Sequence, residues 1–320
     1  MKKAKFIIGT RGSELALWQT NWVKDKLQKS FPSLSFETEI IKTKGDKILD
    51  SSLSQIGDKG LFTREIEKQL LSGGIDLAVH SLKDLPTVLP EGLAIGAVSE
   101  RVDQRDILIS KKYESIGELP QGAKVATGSL RRRSQLLNYR PDLNVVDIRG
   151  NLNSRFRKFD ESDLDAMILA HAGVNRLAID GYIKTIIPTD IMLPATCQGI
   201  MGVEVRENDK AVMNLMKVIN NRHSEIESKA ERSFLNRLEG GCQIPVGVYS
   251  RSADYSMYME GMVGTLDGSI VIRERIIGND SKPEELGHNL ALMLLEKGAN
   301  PILEEIRNAE KSKNAKEKSL

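Results

Sequence analysis

The chain of 320 residues is poor in several things, and each shortage narrows what it can be. It has two cysteines, Cys197 and Cys242, without metal-type spacing. No disulfide framework and no metal site is expected from them, and a cytoplasmic protein with free thiols is the simplest reading. No run approaches the ~18 apolar residues of a membrane span. The opening MKKAKFIIGT has neither a long apolar stretch nor a cleavage site, so no signal peptide is expected. Charge of one sign is not in excess. The 46 Lys+Arg against 44 Asp+Glu leave a net charge of +2, too small for a nucleic-acid binder on bulk charge. An anion site must therefore come from local clustering.

What is present suits two or three domains with a sizeable core. Lys5 to Thr10 reads as a strand. Arg11-Gly12-Ser13 follows, then a helix with Leu15, Trp18, Trp22 and Val23 on an apolar stripe and Ser13 as N-cap. The strand Phe36 to Ile41 completes a βαβ unit, which implies a parallel sheet. A helix N-terminus at the carboxyl end of a strand attracts anions, and Arg11 and Ser13 sit at such a point. Residues 42–60 form a long polar connection of the kind used as a lid, with Lys44, Lys47 and Lys59 placed to close over an anion; a solvated loop is the alternative. Leu61 to Leu71 reads as a helix with Phe62, Ile66 and Leu70 in line. Ile75 to His80 reads as a buried strand with His80 in the core. Ser81, Lys83 and Asp84 follow at its end, where open α/β folds place chemistry; a structural Lys83–Asp84 pair is the alternative.

The charged segment 99–106 reads as a crossover, and the first unit's logic then repeats. A strand ending at Thr127 is followed by Gly128-Ser129 and a helix with Arg131, Arg132 and Arg133. Successive helix residues lie 100° apart, so two of these arginines share one site, taken as Arg131 and Arg132. Arg133 is assigned to solvent or a surface ion pair. A strand from Asn144 to Ile148 leads to Arg149, Gly150 and a helix bearing Arg155. Another, from Asp165 to Ala170, leads to a helix bearing Arg176. Basic residues follow a strand and a turn each time, which points to one anion-binding cleft. The segment 193–199, with Gln198, returns the chain to the first unit, where a strand Gly202 to Arg206 and a helix Lys210 to Asn220 finish it.

A third unit of helices and strands suggests a small α+β domain. In it a helix, Ser224 to Leu238, runs into Gly240-Gly241-Cys242-Gln243-Ile244-Pro245. Two glycines suit a left-handed cap, and Pro245 blocks any return to helix. Cys242 is then either a small buried residue or a thiol at a loop tip that a large group can approach.

The motifs IGTRGSELALWQ, KGDKILD, GDKGLFTREIE, DLAVHSLKDLP, TGSLRRRSQL, RGNLNSR, ILAHAGVNRL and LEGGCQIPVG occur in this order. In this the chain, over about residues 5–310, resembles the porphobilinogen deaminase (hydroxymethylbilane synthase) family. The resemblance implies an α/β fold of three domains. Two are periplasmic-binding-protein-like, doubly wound α/β lobes: 1–99 with 200–220, carrying the lid 42–60, and 100–199. The third is a small α+β C-terminal domain, 221–310, which presents the cysteine loop; residues 311–320 are expected to be a disordered tail. It implies a transferase of tetrapyrrole and haem biosynthesis that joins four porphobilinogen molecules head to tail, losing ammonia each time, and yields hydroxymethylbilane. The primer would be a dipyrromethane cofactor in thioether linkage to Cys242. Asp84 would be catalytic, steadying positive charge on cofactor and substrate. Lys83, Asp84, Ser81, Thr127, Ser129, Arg131, Arg132, Arg155 and Gly150 would bind the cofactor. Arg11, Ser13, Arg149, Arg155, Arg176, Phe62 and Gln198 would bind substrate, with Lys59 on the lid. Guanidinium forks suit the acetate and propionate on each pyrrole. A cytoplasmic monomer without metal, nucleic-acid or membrane partner is the family expectation. Gly128, Gln55, Asp58 and Cys197 depart from the family pattern. The rival readings are a non-catalytic two-lobed anion-binding protein, without a covalent group on Cys242, and an RNA or DNA binder using Arg131 to Arg133.

Overall fold

The computed structural model describes residues 4–47, 60–238 and 244–317. The chain begins with β1 (Lys5–Thr10), β2 (Ser35–Ile40), β3 (Leu77–Ser81) and β4 (Leu93–Val98). It crosses over and forms β5 (Asp106–Ser110), β6 (Lys124–Ala126), β7 (Asn144–Val146), β8 (Ala166–Ala170) and β9 (Ile183–Ile186). It then returns as β10 (Met201–Arg206) and ends in β11 (Val246–Ala253), β12 (Ser256–Gly264) and β13 (Val271–Asn279).

The strands build two five-stranded sheets, ordered β2-β1-β3-β10-β4 and β7-β6-β8-β5-β9, and one three-stranded sheet, β11-β12-β13. In the first, β1 pairs parallel with β2 and β3, while β10 runs antiparallel to β3 and β4. In the second, β6 pairs parallel with β7 and β8, while β5 runs antiparallel to β8 and β9. The lobes are therefore wound alike. In each, the antiparallel strand is the first to form after the chain has crossed from the other lobe, and it lies beside β3 or β8. Both crossovers thus reach the strands that carry the candidate site. This is the periplasmic-binding-protein-like architecture expected.

Each lobe is apolar on both faces of its sheet. Phe6, Ile8, Val23, Leu77 and Val203 fill one side of the first and Ile66, Leu70, Ile75 and Ala78 the other. Leu108, Val125 and Ile168 fill one side of the second and Phe156, Phe159, Met167 and Leu169 the other. The helices are α1 (Glu14–Ser30), the single turn α2 (Lys44–Lys47), α3 (Arg64–Ser72), α4 (Leu130–Tyr139), α5 (Leu152–Asp160), α6 (His171–Arg176), α7 (Lys210–Met216), α8 (Arg222–Arg237), α9 (Pro283–Leu294) and α10 (Asn300–Glu317). The third sheet lays one face on α8 and α9, through Phe234, Val248, Met259 and Leu290.

Three expectations need correction. First, α1 buries Gln19, Thr20, Val23 and Leu27, and Trp18 stays 37% exposed. The inward stripe is rotated by about one residue from the one expected, because Gln19 turns in to hydrogen-bond Ser81 and Trp18 faces the second lobe. Second, the helix placed at Leu61 begins at Arg64, because residues 60–63 form a turn closed by Thr63 N donating to the Gly60 carbonyl. Third, the tail expected to be disordered from 311 continues α10 to Glu317. Its Glu, Lys and Ala are strong helix formers, and Ile302, Leu303 and Ile306 anchor the start of the helix in the core.

Candidate active site

The site begins at the end of β3. Ser81 accepts a hydrogen bond from Gln19 Nε2 at 2.9 Å. A 3-10 turn, Leu82–Asp84, follows. Leu82 and Leu85 are buried with Val98, Cys197 and Ile200, and this clamp turns Asp84 out to the surface and leaves Lys83 half-buried. Lys83 donates to Gln198 Oε1 at 3.3 Å. Burial pulls its ammonium down to about 8, against the opposing charge of Asp84. His80 is buried as expected, with Nε2 3.3 Å from Glu204 Oε2.

The second lobe supplies the cations. Ser129 caps α4 by accepting from Arg132 N, and Thr127 Oγ1 accepts from Ser129 N at 3.2 Å. Arg131 and Arg132 are both buried and turn to one carboxylate, Asp106. Arg133 does otherwise than expected. It is half-buried and donates to the Val145 carbonyl at 2.8 Å, because its place on α4 points across β7. A Cβ at Gly128 would stand 2.9 Å from the Ile148 carbonyl, so any side chain there has no room without a backbone shift.

Arg149 follows β7 and is half-buried; burial lowers its pKa against the pull of Asp147. Gly150 has φ +109°, and its carbonyl accepts from Arg155 Nε at 2.9 Å. Burial first, then Arg132 and Arg149 alongside, pull the Arg155 guanidinium to about 10, while Asp84 pulls the other way. Asp84 of the first lobe and Arg155 of the second thus face a common space. Arg176 lies 5.6 Å over the Trp18 ring and donates to the Gly199 carbonyl at 3.0 Å, again about 10 through burial. Arg11 is paired with Asp46 at 2.5 Å and lies 4.1 Å over the Phe62 ring. Ser13 caps α1 by accepting from Ala16 N at 3.4 Å.

Across the seam between the lobes the structure brings Lys83 to Gln198, with Arg131 and Arg132 nearby, and Asp84 toward Arg155; Ser81 lies on the first-lobe side, and Thr127, Ser129 and Gly150 lie at the turns that open α4 and α5. Arg176 and Trp18 also meet across the seam, and Arg11, Ser13 and Phe62 stand at the end of β1. Cys242, its glycines, Lys59, Gln55 and Asp58 lie outside the described residues. Cys197 is buried, and burial and then Glu231 push its thiol up to about 12, which disfavours the thiolate there.

Asp46 and Asp106 were not foreseen. A signal for Asp106 existed: it opens the strand Asp-Ile-Leu-Ile-Ser, and an acid joined to an apolar strand must be paired when buried. Nothing comparable marked Asp46 within its polar segment. Among the described residues, no group of His, Cys, Asp and Glu is placed to hold a metal and no helix is long and apolar enough to cross a membrane.

Lys83, Arg131, Arg132 and Arg155 outnumber Asp84 and Asp106, and burial leaves that positive excess poorly solvated. Fold and site define a two-lobed α/β protein that gathers cations at its seam beside one exposed carboxylate. The family model described as porphobilinogen deaminase, dipyromethane cofactor binding domain, matches residues 6–214, and the model of the porphobilinogen deaminase C-terminal domain matches 225–296. The chain belongs to the porphobilinogen deaminase family. It is 53% identical over 309 residues to the porphobilinogen deaminase of Chlorobium phaeobacteroides (strain BS1), covering 95% of this chain and 99% of that protein. It is 52% identical over 305 residues to that of Carboxydothermus hydrogenoformans, covering 95% and 98%, and 52% identical over 311 residues to that of Chloroherpeton thalassium, covering 96% and 99%.

Proposed function

We propose that the seam between the lobes is where this chain, like its family, joins four porphobilinogen molecules head to tail into hydroxymethylbilane. The observation that carries this reading is the crowding of four cations, the buried Arg131 and Arg132 and the half-buried Lys83 and Arg155, around a space that the exposed Asp84 also faces. The donor set fits the family's dipyrromethane. Two pyrroles bear four carboxylates, and guanidinium forks bind carboxylates in pairs of hydrogen bonds while staying charged. Arg131, Arg132, Arg155, Lys83 and Ser129 would hold it, beside Ser81, Thr127 and Gly150, with Cys242 as its thioether anchor. When bound, it supplies the pyrrole carbon from which the chain is extended.

The protein's own share is binding and charge control. Arg149 and Arg176 take carboxylates of the incoming substrate, beside Ser13, with Lys59 closing from the 42–60 segment; Gln198, buried and with its amide bonded to Asp106, Gln104 and Lys83, supports Lys83 from behind and does not reach the substrate as the resemblance implied. Arg11 does so in exchange with Asp46, while Phe62 supports its flat face. Asp84 accepts the pyrrole N–H. There its carboxylate opposes the positive charge that develops as ammonia leaves, and it can take up or return a proton. The domain limits proposed are 1–99 with 200–220, 100–199 and 221–310, a division that the three separate sheets support, and a cytoplasmic monomer completes the proposal.

The test is Asp84→Ala. Its turnover is expected to fall by about 10²–10³-fold, as when a fixed charge-stabilising group is lost, with the cofactor mass still on the protein. Near-normal turnover would remove Asp84 from the chemistry. A mere binding protein, the rival reading, is disfavoured by the family match along nearly the whole chain.

A further inference from the structure

One buried group has no part in the reaction as proposed, yet it organises the residues that do. Asp106 is the first residue of β5 and is fully buried. Arg131 Nη1 donates to its Oδ2 at 2.7 Å. Arg132 Nε and Nη2 donate to its Oδ1 at 3.1 and 2.8 Å. Gln198 Nε2 donates to the same oxygen at 2.8 Å and also to the Gln104 carbonyl at 2.8 Å. With its NH2 committed twice, the Gln198 amide must turn its oxygen the other way, where Lys83 Nζ meets it at 3.3 Å.

We propose that Asp106 is a positioning residue, a built-in counter-ion that sets the Arg131 and Arg132 forks before any cofactor is present. Through Gln198 it also ties Lys83 of the first lobe to the second. The inference rests on the reading of the cleft as the cofactor's site. Two guanidiniums side by side in a buried place repel each other and cannot be left unpaired. One carboxylate between them offsets that repulsion but neutralises only one charge. The remaining charge, with that of Lys83, is left for a ligand's carboxylates. The backbone carbonyls of Leu193 and Ile168, which accept from Arg131 and Arg132, complete the fixing of each fork. Burial acts to raise the Asp106 carboxyl, but the two guanidiniums outweigh it and hold it far below the usual carboxylate range, so it stays charged at any working pH. Asp106 itself is shielded from the cleft by the groups it holds. It acts through Arg131, Arg132 and Lys83.

The experiment compares Asp106→Asn with its parent in two backgrounds. In cofactor-free Cys242→Ala protein, Asp106→Asn is expected to lower Tm by on the order of 10 °C. Adding Arg131→Gln to it restores much of the loss, because the repulsion between two unpaired guanidiniums is gone and the buried group returns to its parent's net charge. The exposed Asp163, paired with Lys124, is the control, and Asp163→Asn shifts Tm by no more than about 2 °C. In protein that retains Cys242, Asp106→Asn should take up the dipyrromethane mass from porphobilinogen at least roughly tenfold more slowly at a temperature where it is folded. A merely structural carboxylate would not alter that rate. An unchanged Tm, no recovery on adding Arg131→Gln, or a normal loading rate would each overturn the proposal. If Asp106→Asn yields no folded protein, Arg131→Gln alone decides. It leaves one fork on one carboxylate and is expected to fold and melt near its parent, and a collapse as deep as that of Asp106→Asn would overturn the idea. A wild-type protein that never gains pyrrole mass would instead sink the cofactor reading, with the melting comparison still standing.

Discussion

Lys83 and Asp84 are neighbours in sequence but differ in burial. Asp84 is exposed, whereas Lys83 is drawn under Gln198 and its ammonium is pulled down to about 8. Its folded pKa lies below the ordinary lysine value. Below pH 8 the buried charge therefore costs stability, and that cost is relieved as pH rises from about 8 toward 10.5. Function runs the opposite way, since a carboxylate is held only while the proton is present. Cofactor assembly on the apo-protein is expected to slow as pH rises through about 8. Lys83→Arg, charged throughout this range, should flatten that fall, and a pH profile unmoved by the substitution would contradict the assignment. At this scale the sequence was legible where a local rule applied. The 100° step separated Arg131 and Arg132 from Arg133, although the third arginine found a carbonyl and not solvent. Asp106 and Asp46 escaped because their partners, Arg131, Arg132 and Arg11, lie 25 to 35 residues away in the chain, and periodicity carries no information about such pairs.

Among the elements, the turns that open α4 and α5 do most to aim side chains into the cleft. Gly150 holds φ +109°, and a Cβ there would stand 2.7 Å from the Ser154 Cβ. Gly150→Ala is expected to cost about 1–3 kcal/mol and to displace Arg155, whose Nε rests on the Gly150 carbonyl. A melting curve reads the first effect and a raised KM for porphobilinogen the second; a variant with wild-type values of both would refute the account of this turn. Strand and helix order was legible where turn glycines and N-caps such as Ser13 and Ser129 punctuate the chain, but β4, β5 and β9 were not read, since they lie outside the strand–turn–helix units that such signals mark. The inward face of α1 was not. Its buried Gln19 and half-exposed Trp18 serve Ser81 and Arg176, and a rule that places apolar residues inside misreads both.

Over the whole molecule, three bodies must hold a register for the proposed site between two of them to keep its shape. Their junction is polar and buried. Arg101, on the first crossover, donates to Glu227 at 2.9 Å and to Glu231 at 2.8 and 2.9 Å on α8. Glu231 also accepts from Ser250 Oγ of β11 and from Cys197 N on the return crossover, each at 2.5 Å. Glu231→Gln is expected to destabilise the protein by about 3–5 kcal/mol, as when one partner of a buried pair is removed. The surface pair Lys5–Glu37, with both side chains 57% exposed, should contribute under about 1 kcal/mol. Denaturant midpoints of Glu231→Gln and Glu37→Gln compare them, and equal midpoints would contradict a buried junction.

A covalent pyrrole primer on Cys242, held among cations, underlies the function proposed for this chain. Intact mass of the purified protein beside that of Cys242→Ala tests it. The wild type is expected to carry the added mass of two linked pyrroles and the variant none. A wild type without added mass, even after incubation with porphobilinogen, or a variant that still carries it, would contradict the claim.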